Sequence, residues 1–405
     1  MPSPMTESLI AKIDQNQLCL GCGLCETVCG KESVEMKLGT DGFFHPHIKS
    51  INAKGEKIID QICPGKNVVS ERKLGKDERI WGHIEALWEG FSTDNEVRTK
   101  GSSGGIVSGL AIYLLETKKV DAIMQVGGVP DNYENNYLKL SKTRQDVLSN
   151  SSSRYAPALV FDDFIGILDR SNETYGFVGK PCDIAALQNF LSVYPQYKHR
   201  IKVTMAIVCA GMPSFTGTKK LIEGFKAELP VKDLVYRGNG WPGYFSFEDK
   251  TGAVYRTSYN DSWGKVLNRH LRFRCKVCPD GIGMLADIAV GDAWETVDGY
   301  PDFAEKEGIS LIIARSEIGK GLLSEAMGSQ AITCQPLPME KLKIMQPYQF
   351  LRRNNVGIRM LAFKVIKHIQ FNFKNLRVYS NLLHVPPKVL AKEFYGTFTR
   401  VWKFN

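Results

Sequence analysis

The sequence predicts an α/β (α+β) protein, in which a small N-terminal module precedes a domain with a largely parallel sheet and a basic helical C-terminal tail. Three observations support this class. Residues 19–29 contain four cysteines. Strand-length apolar runs alternate with helix-period segments through the middle of the chain. From Leu351 onward there are eleven Lys and Arg residues and a single acidic residue. With 405 residues, of which 43% are hydrophobic and 23% charged, the chain has room for two or three domains.

The N-terminal cysteines have the spacing of iron–sulfur ligands. Cys19, Cys22 and Cys25 follow one another at three-residue intervals, and a remote Cys-Pro step at Cys63 supplies a fourth thiolate, as a ferredoxin-like module with one 4Fe–4S cluster requires. Cys29 has no second cysteine run to serve, so it is either a buried spare or an exchangeable ligand. A zinc knuckle is the alternative use of these thiolates, but their equal spacing and the intervening glycines favour iron–sulfur.

Four apolar runs in the middle of the chain have the length of strands, and helix-period segments lie between them. The runs cover residues 84–91, 120–128, 174–179 and 202–209. The carboxyl ends of parallel strands meet at one rim of a sheet, where functional groups collect. Cys182 follows one of these strands and Cys209 closes another, so both are expected at the same rim.

A Cys-x-x-Cys pair precedes a further predicted strand at residues 287–290. Its members, Cys275 and Cys278, would join Cys182 and Cys209 to give four thiolates from three loops, which is the ligand complement of a second 4Fe–4S cluster. The alternative is that isolated cysteines at strand ends are small buried side chains without a metal.

The net charge of +9 is concentrated in the C-terminal tail. Between Met360 and Leu383, lysines alternate with aromatic and aliphatic residues, as in an interfacial helix on an anionic membrane surface. Two alternatives remain open: the helix packs on its own domain, or it binds an acidic protein partner. Nucleic acid is not expected, because no nucleic-acid-binding motif accompanies the charge.

The sequence gives no indication of a membrane span or a signal peptide. The longest apolar segment, residues 104–115, is too short to cross a bilayer, and the N-terminus lacks a basic region followed by an apolar core. Ten cysteines without an export signal indicate a reducing compartment and metal ligation. We therefore expect a cytoplasmic protein, with peripheral contact at the inner membrane surface as an open alternative.

Four segments resemble one protein family. Residues 100–110 (KGSSGGIVSGL), 177–188 (FVGKPCDIAALQ), 208–214 (VCAGMPS) and 275–294 (CKVCPDGIGMLADIAVGDAW) are similar to the family of beta subunits of coenzyme F(420) hydrogenases and dehydrogenases. They also resemble the related 7-hydroxymethyl chlorophyll a reductases. The segments occur in the same order as in the family, and the resemblance extends from the N-terminal module to about residue 325.

The resemblance implies an FAD-containing iron–sulfur oxidoreductase. In the family, the cysteines that match Cys182, Cys209, Cys275 and Cys278 hold a 4Fe–4S cluster close to the flavin, and the N-terminal module carries electrons in or out. The chain differs from many bacterial relatives in its N-terminal cysteines: they have two complete cysteine runs, whereas this chain has one run and the single Cys63. Two clusters are therefore expected, and a third is in doubt.

Two stretches are candidates for the FAD site. The glycine-rich loop at residues 100–105 lies between a predicted strand and a helix, where backbone N–H groups can bind the pyrophosphate, although its serines could simply cap the helix. In residues 151–157, Arg154 could pair with phosphate and Tyr155 could line the flavin ring, or they could be a surface cation and a core aromatic. Lys180 could donate to the flavin ring edge. The candidate residues are Lys100, Gly101, Ser102, Ser103, Gly104, Gly105, Ser153, Arg154, Tyr155 and Lys180.

The function that follows is oxidoreduction, in which FAD exchanges electrons with an organic substrate and the clusters exchange single electrons with a ferredoxin-like or other redox protein. The resemblance allows a deazaflavin coenzyme or a polysaccharide-pathway metabolite as substrate, and no residue stands out as a catalytic acid or base. The alternative is a non-catalytic electron-transfer subunit of a larger complex. We expect four regions: residues 1–75 (ferredoxin-like), 76–200 (FAD-binding), 201–345 (cluster ligands) and 346–405 (basic tail).

Overall fold

The N-terminal module is built from three helices and one hairpin. A computed structural model describes residues 8–129, 131–367 and 369–403. Ser8 and Asn52 cap two of the helices by accepting hydrogen bonds from backbone N–H groups of the first turn, which would otherwise be unsatisfied. The hairpin strands pair antiparallel. The elements are α1 (Leu9–Gln15), α2 (Leu24–Cys29), β1 (Val34–Leu38), β2 (Phe44–Ile48) and α3 (Ala53–Ile62).

An eight-stranded mixed sheet forms the centre of the molecule. In chain order its strands are β3 (Ala86–Ser92), β4 (Ala122–Val129), β5 (Asn132–Ser141), β6 (Tyr175–Gly179), β7 (Ile201–Ile207), β11 (Ile288–Asp292), β14 (Ser310–Ala314) and β15 (Ile332–Pro336). Their order across the sheet is β15-β3-β14-β11-β7-β6-β4-β5. The five strands predicted from the sequence are all present.

The expected parallel pairing is found in the middle of this sheet. The neighbours β4, β6, β7 and β11 run parallel, whereas β5 on one flank and β14, β3 and β15 on the other pair antiparallel. The sheet is thus parallel at its centre and antiparallel at its edges. The strands β6 and β7, which lie on either side of the predicted boundary at residue 200, are direct neighbours.

Both faces of the sheet are covered, so successive residues of a strand enter different hydrophobic clusters. Ile123 packs with one cluster and Met124 with the other, and Ile312 and Ile313 divide in the same way. This is why the central strands are nearly continuous apolar runs in the sequence. The helices of this region are α4 (Asn95–Lys100), α5 (Ile106–Glu116), α6 (Arg144–Ser149), α7 (Phe164–Arg170), α8 (Pro181–Val193), α9 (Phe215–Glu223), α10 (Phe273–Lys276) and α11 (Glu317–Gly328).

Two smaller sheets complete the strands. A three-stranded antiparallel sheet of β8 (Lys232–Val235), β9 (Tyr244–Glu248) and β10 (Val254–Ser258) lies in the order β10-β9-β8. A short hairpin consists of β12 (Thr296–Val297) and β13 (Tyr300–Pro301).

The tail is helical, but its central segment is not the single interfacial helix that the sequence predicted. The helices are α12 (Lys341–Met345), α13 (Pro347–Lys367) and α14 (Pro387–Trp402). Helix α13 ends inside the 360–383 segment, where Met360 and Phe363 are buried against the rest of the protein. The chain then runs beside the N-terminal module, where Val68 donates a backbone hydrogen bond to Asn372. Part of this segment therefore packs on its own protein, while Val365 and Leu383 of the same segment are exposed.

No helix formed by the described residues is long and apolar enough to span a membrane.

The N-terminal module contacts the central domain beside an aromatic cluster. Phe164 is fully buried between Phe161, at 5.1 Å between ring centroids, and Phe190, at 5.4 Å. The backbone N–H of Phe161 donates to the carbonyl of Cys22 at 2.8 Å. Packing in this cluster therefore supports the Phe161 backbone, which donates to the first cysteine loop.

We predict that Phe164→Ala lowers the free energy of unfolding by about 3–5 kcal/mol, because it leaves a cavity where the aromatic rings meet. Equilibrium unfolding in urea measures the change. The matched control is Leu383→Ala, which truncates a side chain that is 87% exposed and should have little effect. Equal effects of the two substitutions would contradict this account of the aromatic cluster.

Candidate functional site

The loop that carries the first three cysteines depends on two glycines. Gly21 (φ +65) and Gly23 (φ +83) adopt the left-handed conformation that favours glycine. There is also little space for a side chain, because a Cβ would lie 3.0 Å from the carbonyl oxygen of Phe44 at the first position and 3.3 Å from the backbone nitrogen of Asp162 at the second. These turns allow three thiols to face one region within seven residues of chain, Cys19–Cys25.

The structure brings the four predicted ligands of the first set together. Cys63 lies directly after α3, and its thiol is near enough to those of Cys19, Cys22 and Cys25 to disfavour their ionisation. Burial, with the negative charge of Asp14 next, raises the pKa of Cys19 to about 12. Burial also raises the pKa of the other three thiols. Without a metal these groups are neutral thiols at physiological pH.

The donor set fits an iron–sulfur cluster chemically. Four thiolates are the ligand complement of a 4Fe–4S cluster, and positive iron is what would displace protons from thiols of such high pKa. Among the described residues, no three His, Cys, Asp or Glu side chains meet at the spacing that a single metal ion requires.

Cys29 lies at the margin of this set, at the last position of α2. Its sulfur faces α3, where a Cβ placed on Gly55 would be 3.2 Å away. Burial raises the pKa of Cys29, and the nearby carboxylate of Glu56 raises it further. Cys25 is near enough that, besides burial, the thiolate charge of Cys29 would raise its pKa.

The second predicted set also converges, as expected for strands whose carboxyl ends share a rim. Cys182 lies in the first turn of α8 after β6, Cys209 follows β7, and Cys275 lies in α10 with Cys278 just beyond it. All four line one cavity. Burial, with the charge of Cys275 next, raises the pKa of Cys209 to about 12, and burial likewise raises the pKa values of Cys182 and Cys275. This donor set also matches the four thiolates of a 4Fe–4S cluster.

A lysine shares the second cavity with the cysteines. Burial lowers the pKa of Lys180, but Asp183, whose carboxylate is 2.7 Å from the Lys180 nitrogen, together with Cys182 and Cys209 raises it overall. Lys180 therefore stays protonated. Its positive charge can offset part of the negative charge that four thiolates bring to the cavity.

The two cysteine sets adjoin each other across one buried arginine. The Nε of Arg274 donates to the carbonyl of Gly65 at 2.6 Å, and one Nη donates to the carbonyl of Pro64 at 2.8 Å. Its charge acts on Cys63 of the first set and on Cys275 of the second. One guanidinium thus fixes the loop after Cys63 and borders both sets.

Two further residues show how near the sets are. Leu20, from the loop between Cys19 and Cys22, lines the second cavity. Asp183, next to Cys182 of the second set, raises the pKa of Cys22 in the first. Groups placed in the two sets would therefore be separated by few side chains.

A separate cleft of about 260 Å³ contains three of the ten residues predicted to bind FAD, namely Lys100, Ser153 and Arg154. The Arg154 side chain is largely buried, which lowers its pKa, and its Nε has no hydrogen-bond partner among the described residues. Gly128 leaves room for it, since a Cβ there would be 2.6 Å from an Arg154 Nη atom. A buried donor without a partner is costly, so the cleft is suited to an anionic group that accepts from Arg154.

The glycine-rich loop is packed against the protein's own strands. The backbone N–H of Gly104 donates to the Ser310 hydroxyl at 2.9 Å, and Ser103 donates to carbonyls beside β11 and β14. Ser102 accepts a hydrogen bond from the backbone N–H of Ser153. The N–H of Gly104, proposed from the sequence as a phosphate donor, therefore already has a partner.

The remaining candidates lie beside the cleft or away from it. Gly101 and Gly105 pack against each other, because a Cβ on the first would be 2.8 Å from the Cα of the second. Tyr155 packs against Trp263 at 4.6 Å between centroids, with the ring planes tilted by 43°. Lys180 lies in the cavity of the second cysteine set and does not line the cleft.

Sequence reasoning missed the cationic and polar residues that border the cysteines. Arg274 could have been found, because it stands inside the cysteine motif beside Cys275. Arg352 and Gln349 carried no sequence signal, because they lie more than 70 residues beyond the last ligand in a segment that was interpreted only by its charge.

Two four-thiol sets adjoin each other, and the second lies at the rim of the central sheet, which is an arrangement suited to a redox protein. Residues 87–162 match the family model for the N-terminal part of the coenzyme F420 hydrogenase/dehydrogenase beta subunit, and residues 172–340 match the model for the C terminus of the same beta subunit. The chain belongs to this family of oxidoreductase beta subunits, as its sequence motifs predicted.

Related proteins carry the same family name. The chain is 26% identical over 249 residues to the coenzyme F420 hydrogenase subunit beta of Methanococcus voltae, covering 60% of this chain and 82% of that protein. It is 24% identical over 335 residues to a subunit of the F(420)H(2) dehydrogenase of Methanosarcina mazei, covering 81% and 88%. A solved chain of the F420-reducing [NiFe] hydrogenase complex from Methanosarcina barkeri has a TM-score of 0.49 and 19% identity, covering 67% of this chain and 90% of that one.

We predict that Gly104→Ala destabilises the protein by about 1–3 kcal/mol, because the added methyl would lie 2.6 Å from the Gly90 carbonyl oxygen and 2.8 Å from the Ser310 backbone nitrogen. Gly321→Ala is the control: its Cβ meets nothing within 4 Å on helix α11, so it should be neutral or stabilise by up to about 1 kcal/mol. Urea unfolding measures both. If Gly104→Ala is no worse than Gly321→Ala, the loop is not held against β3 and β14 as described.

Proposed function

We propose that this chain is an electron-transfer subunit of a redox complex. Each cysteine set would hold one 4Fe–4S cluster, and the cleft beside Arg154 would hold FAD. The observation that carries the proposal is the meeting of the two four-thiol sets across Arg274, because electron transfer between two centres requires them to be close. When bound, the clusters supply one-electron transfer and the flavin converts between one-electron and two-electron chemistry.

The chain's own residues would prepare these sites in three ways. Cys19, Cys22, Cys25 and Cys63 would bind the first cluster, and Cys182, Cys209, Cys275 and Cys278 the second. Partial burial of both sets lowers the local dielectric constant, which strengthens the electrostatic effect of the neighbouring cations. Arg274 and Lys180 provide positive charge beside the thiolates.

Membership of a larger complex is supported by the relatives, several of which are named as subunits of F420 hydrogenases and dehydrogenases. We propose a ferredoxin-like or other redox protein as the partner of this chain. All ten cysteines are free, as expected for a reducing cytoplasm, and we propose that location.

A second candidate function is catalysis at the flavin itself. The cleft favours this function, because Lys100 and Arg154 offer positive charge to an anionic ligand at a place separate from the cavity of the second cysteine set. Relatives are named for coenzyme F420, and we propose a deazaflavin coenzyme as the substrate class in this case.

The cluster proposal predicts different losses of iron for different cysteines. Anaerobically purified wild type should contain about eight irons per chain, and Cys63→Ser or Cys182→Ser should each lose about four, because a cubane without one thiolate is unstable. Cys334→Ser is the matched control, since this half-buried cysteine of β15 belongs to neither set. Iron and sulfide analysis with the visible spectrum is the measurement. Wild-type protein that contains zinc and no iron would overturn the proposal.

The FAD proposal predicts that Arg154→Gln weakens flavin binding about tenfold or more, because one charge-assisted contact to an anion contributes about 1.5–3 kcal/mol. Flavin content and the fluorescence titration of FAD into flavin-free protein measure the effect. Arg256→Gln, a substitution of an arginine that stacks on Tyr244, is the control. Unchanged affinity in Arg154→Gln would place the flavin outside this cleft.

Anaerobic reduction of the bound flavin by a reduced deazaflavin, without a protein partner, would favour the catalytic function over a purely electron-transferring one.

A further inference from the structure

Helix α13 of the C-terminal tail binds the backbone of a loop in the second cysteine set. Gln349 donates from Nε2 to the carbonyl of Cys209 at 2.9 Å, and Arg352 donates from one Nη to the same carbonyl at 2.9 Å. The other Nη of Arg352 donates to the carbonyl of Ala210. The loop after β7 is thus held by three hydrogen bonds from two side chains on one helix.

The same helix also binds the loop of the Cys-x-x-Cys pair. Arg353 donates to the carbonyl of Pro279 at 2.5 Å, directly after Cys278. Arg359 donates to the carbonyl of Lys276 at 3.1 Å, between the two cysteines of the pair. The donors at positions 349, 352, 353 and 359 recur at helical spacing, so one face of α13 serves both loops.

One of these side chains also brings charge to the cysteines. Arg352 lines the second cavity together with all four thiols. Burial raises the pKa values of Cys209 and Cys275, whereas the positive charge of Arg352 lowers them because it favours the thiolates. Gln349 holds the same carbonyl but carries no charge, so the positioning effect and the electrostatic effect reside in separable groups.

This helix lies outside the part of the chain that the family models match, which ends at residue 340. Its basic residues suggested a membrane or an acidic protein as their partner. Four of its polar side chains instead donate to carbonyls of the cysteine loops. The tail thus adds a layer of donors to a site whose ligands all belong to the family region.

We propose that α13 is a cationic clamp on the second cluster: Gln349 and Arg352 position the Cys209 loop, and the Arg352 charge raises the reduction potential of that cluster. The inference rests on the proposed function, because it requires a cluster in the second set. A cluster gains negative charge when it accepts an electron, so a nearby cation stabilises the reduced form, and net charge and hydrogen bonding are known determinants of cluster potentials.

The test is a redox titration of anaerobically purified full-length protein, followed by electron paramagnetic resonance. Arg352→Gln removes the charge but can still donate one hydrogen bond, Arg352→Lys keeps the charge, and Lys392→Gln removes an exposed charge from α14 of the same tail. The Cys63→Ser variant assigns the two cluster signals. The expected result is a lower midpoint potential of the second cluster in Arg352→Gln, little change in Arg352→Lys, and an unchanged first cluster.

The outcomes separate the clamp from the proposed function. Wild type without two clusters would refute the proposed function itself. Two clusters in wild type, with Arg352→Gln giving the same second potential and iron content as Lys392→Gln, would refute the clamp alone. Selective loss of about four irons in Arg352→Gln, with about eight retained in Lys392→Gln, would support it, because only the second set would have lost its support. If Arg352→Gln does not fold, Arg352→Lys tests the positioning role, because it replaces a side chain that contacts two carbonyls with one that has a single nitrogen. Its iron content is measured during mild chelation. If the second cluster retains iron as well as in wild type, the positioning role is refuted.

Discussion

Eight thiols in two adjoining sets are the constraint on which the rest of the structure depends. Burial raises the pKa values of thiols in both sets, so without a metal those thiols would be neutral. The buried guanidinium of Arg274 lies where the sets meet, and its hydrogen bonds to the loop after Cys63 join the N-terminal module to the central domain. A change at this arginine would therefore affect the geometry of both sets at once.

The two sets are formed by different physical means. The first is local: two left-handed glycines turn a short loop so that three thiols face the end of α3. The second is a consequence of topology, because the carboxyl ends of β6 and β7 lie side by side in the parallel centre of the sheet. The Cys-x-x-Cys pair of α10 lies at the same rim, and residues 279–287 then run to the amino end of β11 at the opposite edge, since β11 pairs parallel with β7. The mixed sheet thus keeps parallel strands where the site needs them.

The tail gives a different picture of charge from the one that its composition suggested. Arginines on α13 donate to carbonyls of the cysteine loops, while lysines such as Lys388 and Lys392 of α14 remain exposed. Arginine suits the inward role because its planar guanidinium can contact two carbonyls at once, as Arg352 does. The net charge of a segment therefore says little about its partner until the direction of each side chain is known.

The sequence by itself determined the central strands, helix α5 and the family, and it predicted which cysteines would lie together. These features follow from periodicity, cysteine spacing and motif order, which are properties of neighbouring residues. Only the tertiary structure decided that α13 ends within the predicted interfacial segment, that Arg154 lies in a cleft while Lys180 lies among the cysteines, and that Gly104 is bonded to Ser310. These facts depend on contacts between residues that are far apart in the chain, up to 206 positions for Gly104 and Ser310. No local pattern encodes such contacts, because they are selected by the packing of the whole core.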